Sequence, residues 1–538
     1  MVSRILQLKY QLLLVAISGL LLFSSLGKVE VNIMEARNFT TAREMVQNKE
    51  YLLTTLNGEP RYQKPPLPTW LTAISGMVFG FDSVYGLRVP VALVTILLVL
   101  TFFYFSRIAG LSPLHSFNNG LILITSFYIF WAGRDNQWDM YAHSFMLVGI
   151  LFLWKLLQLD SKQLLNSLLS GLFIGLSFLS KGPVSMYVLL LPFLVSYWVV
   201  YRINYERKTV YIFAVLFVGL IIGLFWFLYV RFSDPESFKV IAVREASNWK
   251  NYEVKPFYYY WNFFLQSGLW AIPSLIALSY PYMKKRVSNL KGYRFFAIWT
   301  VLSLVLLSII PEKKVRYLVP MLIPLALTTG YYIEYLLSNY NNTLYKLDNI
   351  LVSITFEIIA CVGLSYPFVL LLILKKEGVM ENLLLFTFST LLVYLASYVI
   401  IKGLINKNFR KVFYGSIGLF ALLVIGALPM SDNFFRNPQY STASNAKLIA
   451  KELGIKTYRL SDLPPEIVWN YGEVIPLIDT LNLPKEKQFG LMVDVKDSLS
   501  VQNQFQPYRA KKLYRINMHY RVSKKTRLIK DFYLLTKN

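Results

Sequence analysis

The stretch that decides the fold spans residues 33–70 and reads IMEARNFTTAREMVQNKEYLLTTLNGEPRYQKPPLPTW. It is rich in charged and polar residues, yet it lies between two apolar blocks that are each long enough to cross a membrane. Its charged residues come in the short motifs Glu35-Ala36-Arg37, Arg43-Glu44-Met45 and Gln63-Lys64-Pro65. A polar segment of this length between two spans is a loop outside the bilayer, so the chain reads as a membrane protein.

The composition agrees, since 55% of the 538 residues are hydrophobic and the mean hydropathy is +0.45. Such a chain is too apolar to stay in water. Apolar runs of the length that crosses a hydrocarbon core recur along it and predict about thirteen membrane-spanning helices. The predicted spans are 10–29, 84–106, 117–133, 138–158, 165–180, 183–201, 209–230, 260–282, 295–310, 317–337, 349–374, 383–402 and 411–430. The fold class is therefore an all-α polytopic membrane protein.

Charge orients these spans. Lysine and arginine concentrate in alternate loops, and by the positive-inside rule those loops are cytoplasmic. They lie near 4–9, 107, 162, 202–208, 284–294 and 402–411. Much of the net charge of +25 is thereby explained by contact with anionic lipid, which makes a nucleic-acid partner unnecessary. A cleaved signal peptide is the alternative for the first block, but no small-residue cleavage pattern precedes Lys28 convincingly.

The C-terminal hundred residues differ, because apolar runs shorten and turn signals multiply after residue 431. We predict a membrane domain over 1–431, with external loops at 33–82 and 231–259, and a separate soluble α/β domain over 432–538 on the side opposite the basic loops. Its last thirty residues are strongly basic. They form either a solvated face or a docking surface for an anionic glycolipid.

The chemically costly groups in or near the membrane all fall on the non-cytoplasmic side of this topology. Charge at membrane depth costs a few kcal/mol, so such residues are functional candidates. Their convergence on one side predicts a single site. The candidates are Glu35, Arg37, Arg134, Asp135, Asp139, Lys181, Lys313 and Arg316.

Each candidate also has a purely structural interpretation. Glu35 shares an apolar helix stripe with Phe39, but an acid in a first turn also caps a helix. Asp135 and Asp139 are four residues apart and face one way, so they either contribute hard oxygen ligands to a metal or pair with Arg134. Two carboxylates alone make a weak metal signal. With only three histidines in the chain, a histidine-built metal centre is not expected.

The cations and aromatic residues are similarly open to two interpretations. Lys181 precedes the helix-restarting Pro183, where it either binds a phosphate or extends to the lipid headgroups. Lys313 and Arg316 form a basic cluster on the side where the positive-inside rule does not require cations, which indicates an anionic ligand. The tyrosines around Tyr259 either stack on sugar rings or anchor the chain at the interface.

These motifs, taken in order, resemble the aminoarabinose transferase and protein mannosyltransferase superfamily, whose members are membrane glycosyltransferases of the GT-C fold. The resemblance covers about residues 10–430. It rests on Glu35-Ala36-Arg37, Arg43-Glu44-Met45, Tyr62-Gln63-Lys64-Pro65, Asp139, Leu179-Ser180-Lys181-Gly182-Pro183, Pro256-Phe257-Tyr258-Tyr259-Tyr260, and Lys313 through Pro320.

The resemblance implies inverting transfer of a sugar from a polyprenyl-phosphate donor to an acceptor on the outer side of the bacterial cytoplasmic membrane. It implies that Glu35 and Asp139 act at the reaction centre. The predicted substrate-binding set is Arg37, Lys64, Arg134, Asp135, Lys181, Arg244, Glu245, Tyr259, Lys313, Arg316 and Tyr317. The expected partners are the lipid-linked sugar, a glycolipid or glycan acceptor and membrane lipids.

Two departures from the family pattern qualify these expectations. Family members often begin the first motif Asp-Glu, but here Met34 precedes Glu35. Aminoarabinose transferases tend to show Glu-Lys-Pro and an outer-loop Glu-His, whose Glu and His bind zinc, where this chain has Gln63-Lys64-Pro65 and Glu245-Ala246. We therefore predict no metal cofactor.

The predicted function is a glycosyltransferase with a lipid A or polysaccharide acceptor. Transfer to protein Ser or Thr is the alternative within the superfamily. A transporter or lipid flippase is the alternative of another class, but transporters place ionisable groups near the midplane of repeated bundles, and no matching halves occur here.

Overall fold

The computed structural model of the chain describes residues 2–537 except 202–207, 341–344, 436, 480–482, 485, 499 and 507. The predicted basic loop at 202–208 therefore lies outside the described residues apart from Lys208. Contacts between residues divide the chain into two compact units. The first unit comprises 1–26, 63–68 and 88–430, and the second comprises 27–62, 69–87 and 431–538.

Helices form most of the described chain. They are α1 (Val2–Phe23), α2 (Ile33–Asn48), α3 (Leu67–Phe79), α4 (Val84–Ile108), α5 (Pro113–Ile124), α6 (Phe127–Ala132), α7 (Trp138–Gln158), α8 (Gln163–Lys181), α9 (Leu191–Tyr201), α10 (Thr209–Ser233), α11 (Pro235–Asn251), α12 (Ala271–Leu278), α13 (Tyr280–Met283), α14 (Leu290–Ile309), α15 (Val319–Asn339), α16 (Lys346–Glu381), α17 (Leu383–Ile405), α18 (Phe409–Ala427), α19 (Ala443–Glu452), α20 (Pro465–Tyr471) and α21 (Val501–Gln504). A π-helix covers Met186–Leu190, and 3₁₀ turns cover Phe257–Tyr260, Phe263–Ser267, Val315–Leu318 and Leu428–Asn433. The strands are β1 (Thr55–Leu56), β2 (Glu59–Pro60), β3 (Thr457–Arg459), β4 (Gln488–Asp494), β5 (Tyr508–Asn517) and β6 (Ile529–Lys537).

Nine of the described helices are long and apolar enough to cross a membrane, which confirms the predicted polytopic membrane protein. They account for nine of the thirteen predicted spans. The other four are 117–133, 183–201, 260–282 and 317–337. The first three are interrupted: at Thr125-Ser126 by side chains that bond back to carbonyls of the preceding turn, at 186–190 by the π-helix, and near Gly268 by 3₁₀ turns. The fourth is the single helix α15, which contains Pro324 and Glu334.

Small residues let α7, α8 and α10 pack closely in the first unit. A Cβ at Gly171 would lie 2.8 Å from the Val215 carbonyl oxygen, so α8 and α10 approach where α8 has no side chain. The Ser177 hydroxyl on α8 donates to the Ala142 carbonyl of α7 at 2.7 Å. Small residues that permit close backbone approach are the usual means of helix association in lipid. This packing brings the start of α7 next to the end of α8.

The second unit contains a four-stranded sheet in the order β3-β4-β6-β5, with β3 and β4 parallel and the other pairs antiparallel. Helices α19 and α20 pack on it through a core that includes Ala446, Ile467 and Phe532. The helix predicted at 446–453 and stopped by Gly454 corresponds to α19, and the strand predicted at 491–495 corresponds to β4. The strand predicted at 514–522 begins earlier, at Tyr508. The small α/β module is therefore present.

The structure places most of the first loop in this same unit, whereas the sequence boundary at 431 separated the two. The Arg43 guanidinium donates to the carbonyls of Val468 at 3.2 Å and Trp469 at 2.9 Å. The Asn57 amide exchanges two hydrogen bonds with the backbone of Ile475, at 3.1 and 2.8 Å. These contacts join residues more than 400 positions apart, so no local sequence pattern reports them.

The Arg43-Glu44-Met45 motif also organises the loop itself. Glu44 is buried, and its carboxylate accepts hydrogen bonds from the Thr55 hydroxyl at 2.6 Å and from the backbone N–H groups of Asn57 and Gly58 at 2.7 and 3.2 Å. Asn57 and Gly58 both have positive φ, as a two-residue hairpin turn requires. The motif therefore has a structural explanation in the β1-β2 hairpin.

Asp531 on β6 gives this unit a pH-dependent stability. Burial raises the pKa of its carboxyl, but hydrogen bonds from Arg515, Lys512 and Ser498 outweigh burial and lower the pKa to about 2. Because the folded pKa lies below the ordinary value of 3.8, the stabilisation is present above pH 4 and is lost as the pH falls toward 2. It amounts to about 2 kcal/mol.

We expect Asp531→Asn to lower the stability of this unit by about 2 kcal/mol at pH 7 and by much less at pH 2. The measurement is protection of residues 431–538 from protease in the full-length protein at the two pH values. Glu452→Gln, at the exposed end of α19, is the control and should leave protection from protease unchanged at both pH values. Equal losses at both pH values would show that Asp531 contributes by packing alone.

Candidate active site

Asp139 and Lys181 form a buried ion pair at the centre of the candidate site. Asp139 lies in the first turn of α7 and Lys181 in the last turn of α8, and the Lys181 ammonium bonds to Asp139 Oδ1. Both side chains are more than 90% buried. A carboxylate suits a helix N-terminus and an ammonium suits a C-terminus, so both helix dipoles favour the pair. Two of the residues predicted from sequence are thus brought together.

The segment that precedes α15 contributes the next members of the site. The Lys181 ammonium lies 5.0 Å from the centre of the Tyr317 ring, and the Tyr317 hydroxyl donates to Glu312 Oε1 at 2.9 Å. Arg316 Nη1 lies 3.5 Å from Gln137 Oε1, in the loop before α7. Its Nε is buried and has no hydrogen-bond partner among the described residues. An unsatisfied guanidinium N–H beside a carboxylate and an ammonium is suited to an anionic ligand.

Lys313 and Tyr260 join the loop before the 3₁₀ turn 257–260 to the loop after α14, and Tyr259 packs beside Tyr260. The Lys313 ammonium donates to the carbonyls of Lys255 at 3.0 Å and Ile310 at 2.6 Å. Burial lowers the pKa of this ammonium. The Tyr259 ring lies 5.2 Å from that of Tyr260, whose hydroxyl donates to the Lys314 carbonyl. Lys313 therefore has backbone partners within the loops, and its role in phosphate binding stays a prediction.

Lys64 and Glu245 form a second, half-exposed ion pair. Lys64 Nζ lies 3.7 Å from Glu245 Oε2, which joins the Gln63-Lys64-Pro65 motif to α11. The neighbouring Arg244 is exposed on the same helix. An ion pair of this exposure contributes little to the free energy of unfolding. An anionic ligand can therefore replace Glu245 as the partner of Lys64 with little loss of stability.

Arg134 and Asp135, the predicted pair before α7, have separate partners. Arg134 is buried, and its Nη1 donates to the carbonyls of Leu21 and Leu22 at 2.8 and 2.7 Å, near the end of α1. Asp135 accepts a hydrogen bond from the Gln137 amide. Arg134 thus fixes the start of the α6–α7 loop against α1. Its role and that of Asp135 in substrate binding stay predictions.

Glu35 and Arg37 belong to the second unit. Glu35 is fully buried at the third position of α2 and completes a capping box, because its carboxylate accepts from the Asn32 backbone N–H and the Asn32 side chain accepts from the Glu35 N–H. The capping interpretation of Glu35 is therefore observed. Arg37 is half-buried and contacts the Met34 sulfur at 3.8 Å. The catalytic role of Glu35 stays a prediction.

Comparison with known proteins finds similar sequences and a similar fold. A family model described as dolichyl-phosphate-mannose-protein mannosyltransferase matches residues 63–228. The undecaprenyl phosphate-alpha-4-amino-4-deoxy-L-arabinose arabinosyl transferase 1 of Pseudomonas fluorescens Pf0-1 is 23% identical over 85% of this chain and 79% of its own length. The crystal structure of ArnT from Cupriavidus metallidurans bound to undecaprenyl phosphate superimposes with a TM-score of 0.70 at 16% identity, over 97% of both chains.

The chain is a membrane glycosyltransferase with the GT-C fold. The predicted resemblance and fold class are thereby confirmed, and the transporter alternative loses its support. A similar enzyme from Pseudomonas aeruginosa UCBPP-PA14 is 25% identical over 64% of this chain and 65% of its own length.

The residues at the expected zinc positions do not fit that metal. Gln63 and Ala246 replace the two ligands that the resemblance implies, and Glu245 pairs with Lys64. Within the part of the chain that the structure describes, no group of three His, Cys, Asp or Glu residues comes together. We therefore assign no step of the reaction to a metal.

The sequence interpretation missed several members of this GT-C site. His143 and Ser185 lie beside Asp139, and Tyr128 interacts electrostatically with Arg316, Asp139, Asp135 and Tyr259. His143 carried a detectable signal, because it follows Asp139 by four residues on one helix face. Tyr128 and Ser185 carried none, since each lies in an apolar stretch where one hydroxyl is unremarkable.

Proposed function

We propose that the chain transfers a sugar from a polyprenyl-phosphate donor to a lipid A or polysaccharide-type acceptor on the periplasmic side of the bacterial inner membrane. The observation that carries the proposal is the cluster in which Lys181 and Arg316, the latter with an unpartnered Nε, surround the Asp139 carboxylate. When a sugar leaves a phosphate, negative charge develops on the phosphate and positive charge on the sugar and the attacking hydroxyl. Fixed cations stabilise the first charge and a carboxylate stabilises the second.

The chemistry follows from these charges. An acceptor hydroxyl attacks the anomeric carbon, the bond from that carbon to the phosphate oxygen breaks with inversion, and the electron pair leaves with the phosphate. The hydroxyl proton passes to a carboxylate, for which Asp139 and Glu35 are the proposed groups. Lys181 and Arg316, with Lys64 and Arg37, stabilise the departing phosphate. We propose that no metal takes part.

The donor class is supported by the relatives, whose names specify undecaprenyl phosphate-linked aminoarabinose. The acceptor class is supported by charge in the second unit. Residues 508–538 contain ten lysines and arginines and a single acid, Asp531. They are Arg509, Lys511, Lys512, Arg515, Arg521, Lys524, Lys525, Arg527, Lys530 and Lys537. Lys530 is buried against Asp494, but the other nine are exposed, and a basic surface of this kind favours an anionic glycolipid over a neutral protein acceptor.

Mass analysis of outer-membrane glycolipids and periplasmic glycoproteins, from cells with and without the gene, tests the proposal. We expect a glycolipid to lose the mass of one sugar when the gene is deleted and to regain it with the wild-type chain in the presence of chelator. Loss from a glycoprotein instead would establish the protein mannosyltransferase alternative, which the family model for residues 63–228 favours. No change in either fraction would refute transfer to these acceptors.

A further inference from the structure

His143 is a buried imidazole beside the Asp139–Lys181 ion pair, and the proposed reaction assigns it no role. Its side chain is 1% exposed. The Nδ1 atom lies 2.9 Å from the Ser185 hydroxyl oxygen, and the Nε2 atom lies 3.9 Å from Asp139 Oδ1. Ser185, His143 and Asp139 therefore form a buried row that ends on the carboxylate.

The negative charge of Asp139 determines which ring nitrogen of His143 carries the hydrogen. A bare ring nitrogen directed at a carboxylate would be repelled by it, so Nε2 carries the hydrogen and faces Asp139. The Nδ1 atom is then an acceptor, and the Ser185 hydroxyl donates to it. Ser185 thereby selects the tautomer that presents an N–H to Asp139.

The backbone around Ser185 is built to hold this hydroxyl in place. Helix α8 ends at Gly182, whose φ of 77° is available to glycine without strain. Pro183 follows, and the π-helix Met186–Leu190 begins directly after Ser185. Such π-turns are rare and frequently occur at functional sites. Ser185 is fully buried, so its hydroxyl cannot exchange this partner for water.

Both neighbours of Asp139 face the same carboxylate oxygen. Lys181 bonds to Oδ1 and His143 Nε2 lies 3.9 Å from the same atom, whereas Oδ2 accepts no hydrogen bond from the described residues. Two N–H groups that face Oδ1, one bonded and one nearby, favour the carboxylate orientation in which Oδ2 points away from them. Oδ2 is therefore the oxygen available to an acceptor hydroxyl.

We propose that His143 is a positioning residue, which acts with Ser185 to orient Asp139 for the acceptor. This inference rests on the proposed transfer reaction. In this role His143 acts through Asp139 and not on the substrate. At metal sites, partners that orient the ligands typically change activity about 10- to 100-fold when they are removed, and we take that range as a guide for His143 and Ser185.

The test compares Ser185→Ala, Ser185→Thr and His143→Gln in the purified full-length enzyme. We expect Ser185→Ala and His143→Gln to lower kcat by at least about tenfold, with KM for the lipid-linked sugar within about twofold. Ser185→Thr keeps the hydroxyl and should restore most of kcat. Ser177→Ala is the matched control, because it also removes a buried hydroxyl that bonds to α7 but leaves His143 untouched. Equal losses in Ser177→Ala and Ser185→Ala, or an unchanged kcat in Ser185→Ala, would overturn the proposal.

A second measurement keeps this inference separate from the proposed reaction. The chain has three histidines, so nitrogen-15 histidine spectra can be assigned by the signal that His143→Gln removes. We expect His143 to carry its proton on Nε2 in the wild type and to lose that preference in Ser185→Ala. An absence of transfer by the wild type would refute the proposed reaction alone, whereas a proton on Nδ1, or an unchanged spectrum in Ser185→Ala, would refute the role of Ser185 and His143.

Discussion

We expect Asp139→Asn to lower sugar transfer at least about a hundredfold and also to destabilise the first unit, because it leaves the Lys181 ammonium buried without its counter-ion. Removing one partner of a buried ion pair costs about 3–5 kcal/mol. The same substitution removes a carboxylate that the proposed reaction needs, and a positioned acid or base contributes about 100- to 10,000-fold. One substitution therefore has two effects that must be separated.

The double variant Asp139→Asn with Lys181→Met separates them. Replacing a buried ion pair by uncharged groups is often neutral for stability, so we expect the melting temperature in detergent to recover toward the wild-type value. Transfer should stay absent. The wild type, Asp139→Asn, Lys181→Met and the double variant are compared by thermal unfolding and by transfer from a lipid-linked sugar. A double variant as unstable as Asp139→Asn would show that the two charges do not compensate each other, and a double variant that regained transfer would remove Asp139 from the reaction.

We expect Glu35→Gln to lower transfer at least about a hundredfold while it keeps the cap of α2. The capping box accepts Gln as well as Glu at its third position, since an amide oxygen also accepts from the N-cap N–H. Glutamine therefore keeps the observed cap of α2 and removes the charge and the basicity. This substitution distinguishes the structural role seen for Glu35 from the catalytic role proposed for it.

The control for Glu35 is Glu35→Ala, which removes the cap as well. We expect it to lose transfer and, in addition, about 1 kcal/mol of stability. Unfolding and transfer are measured on both variants. Wild-type transfer by Glu35→Gln would rule out a catalytic role for the Glu35 carboxylate.

The sequence was most informative where chemistry is local. Apolar length predicted nine of the long spans, and the ordered motifs predicted the fold and the Asp139, Lys181 and Arg316 part of the site. Interrupted spans were harder to predict, because the break at Thr125-Ser126 depends on hydroxyl groups that an average of hydropathy does not register.

Long-range contacts account for the rest. The Arg43-Glu44-Met45 motif was listed among the features of the resemblance, yet its side chains hold a hairpin and a distant helix end. Lys313 was assigned to a ligand because of its charge, and the structure directs its ammonium to backbone carbonyls. In both cases the side chain bonds to backbone N–H or C=O groups. Every residue carries such groups, so a sequence motif does not indicate which of them will be the partner.

The hydrogen bonds between Asn57 and Ile475 have a consequence for biosynthesis. The two residues are 418 positions apart, so at about 5–20 residues per second the ribosome takes tens of seconds to supply the second after the first. During that interval the β1-β2 hairpin has left the ribosome without the strands and helices it packs on. A nascent chain that is stopped before residue 475 would therefore expose this hairpin to proteases. We expect a termination codon shortly before codon 475 to cause degradation of the whole chain, so that no shortened protein accumulates.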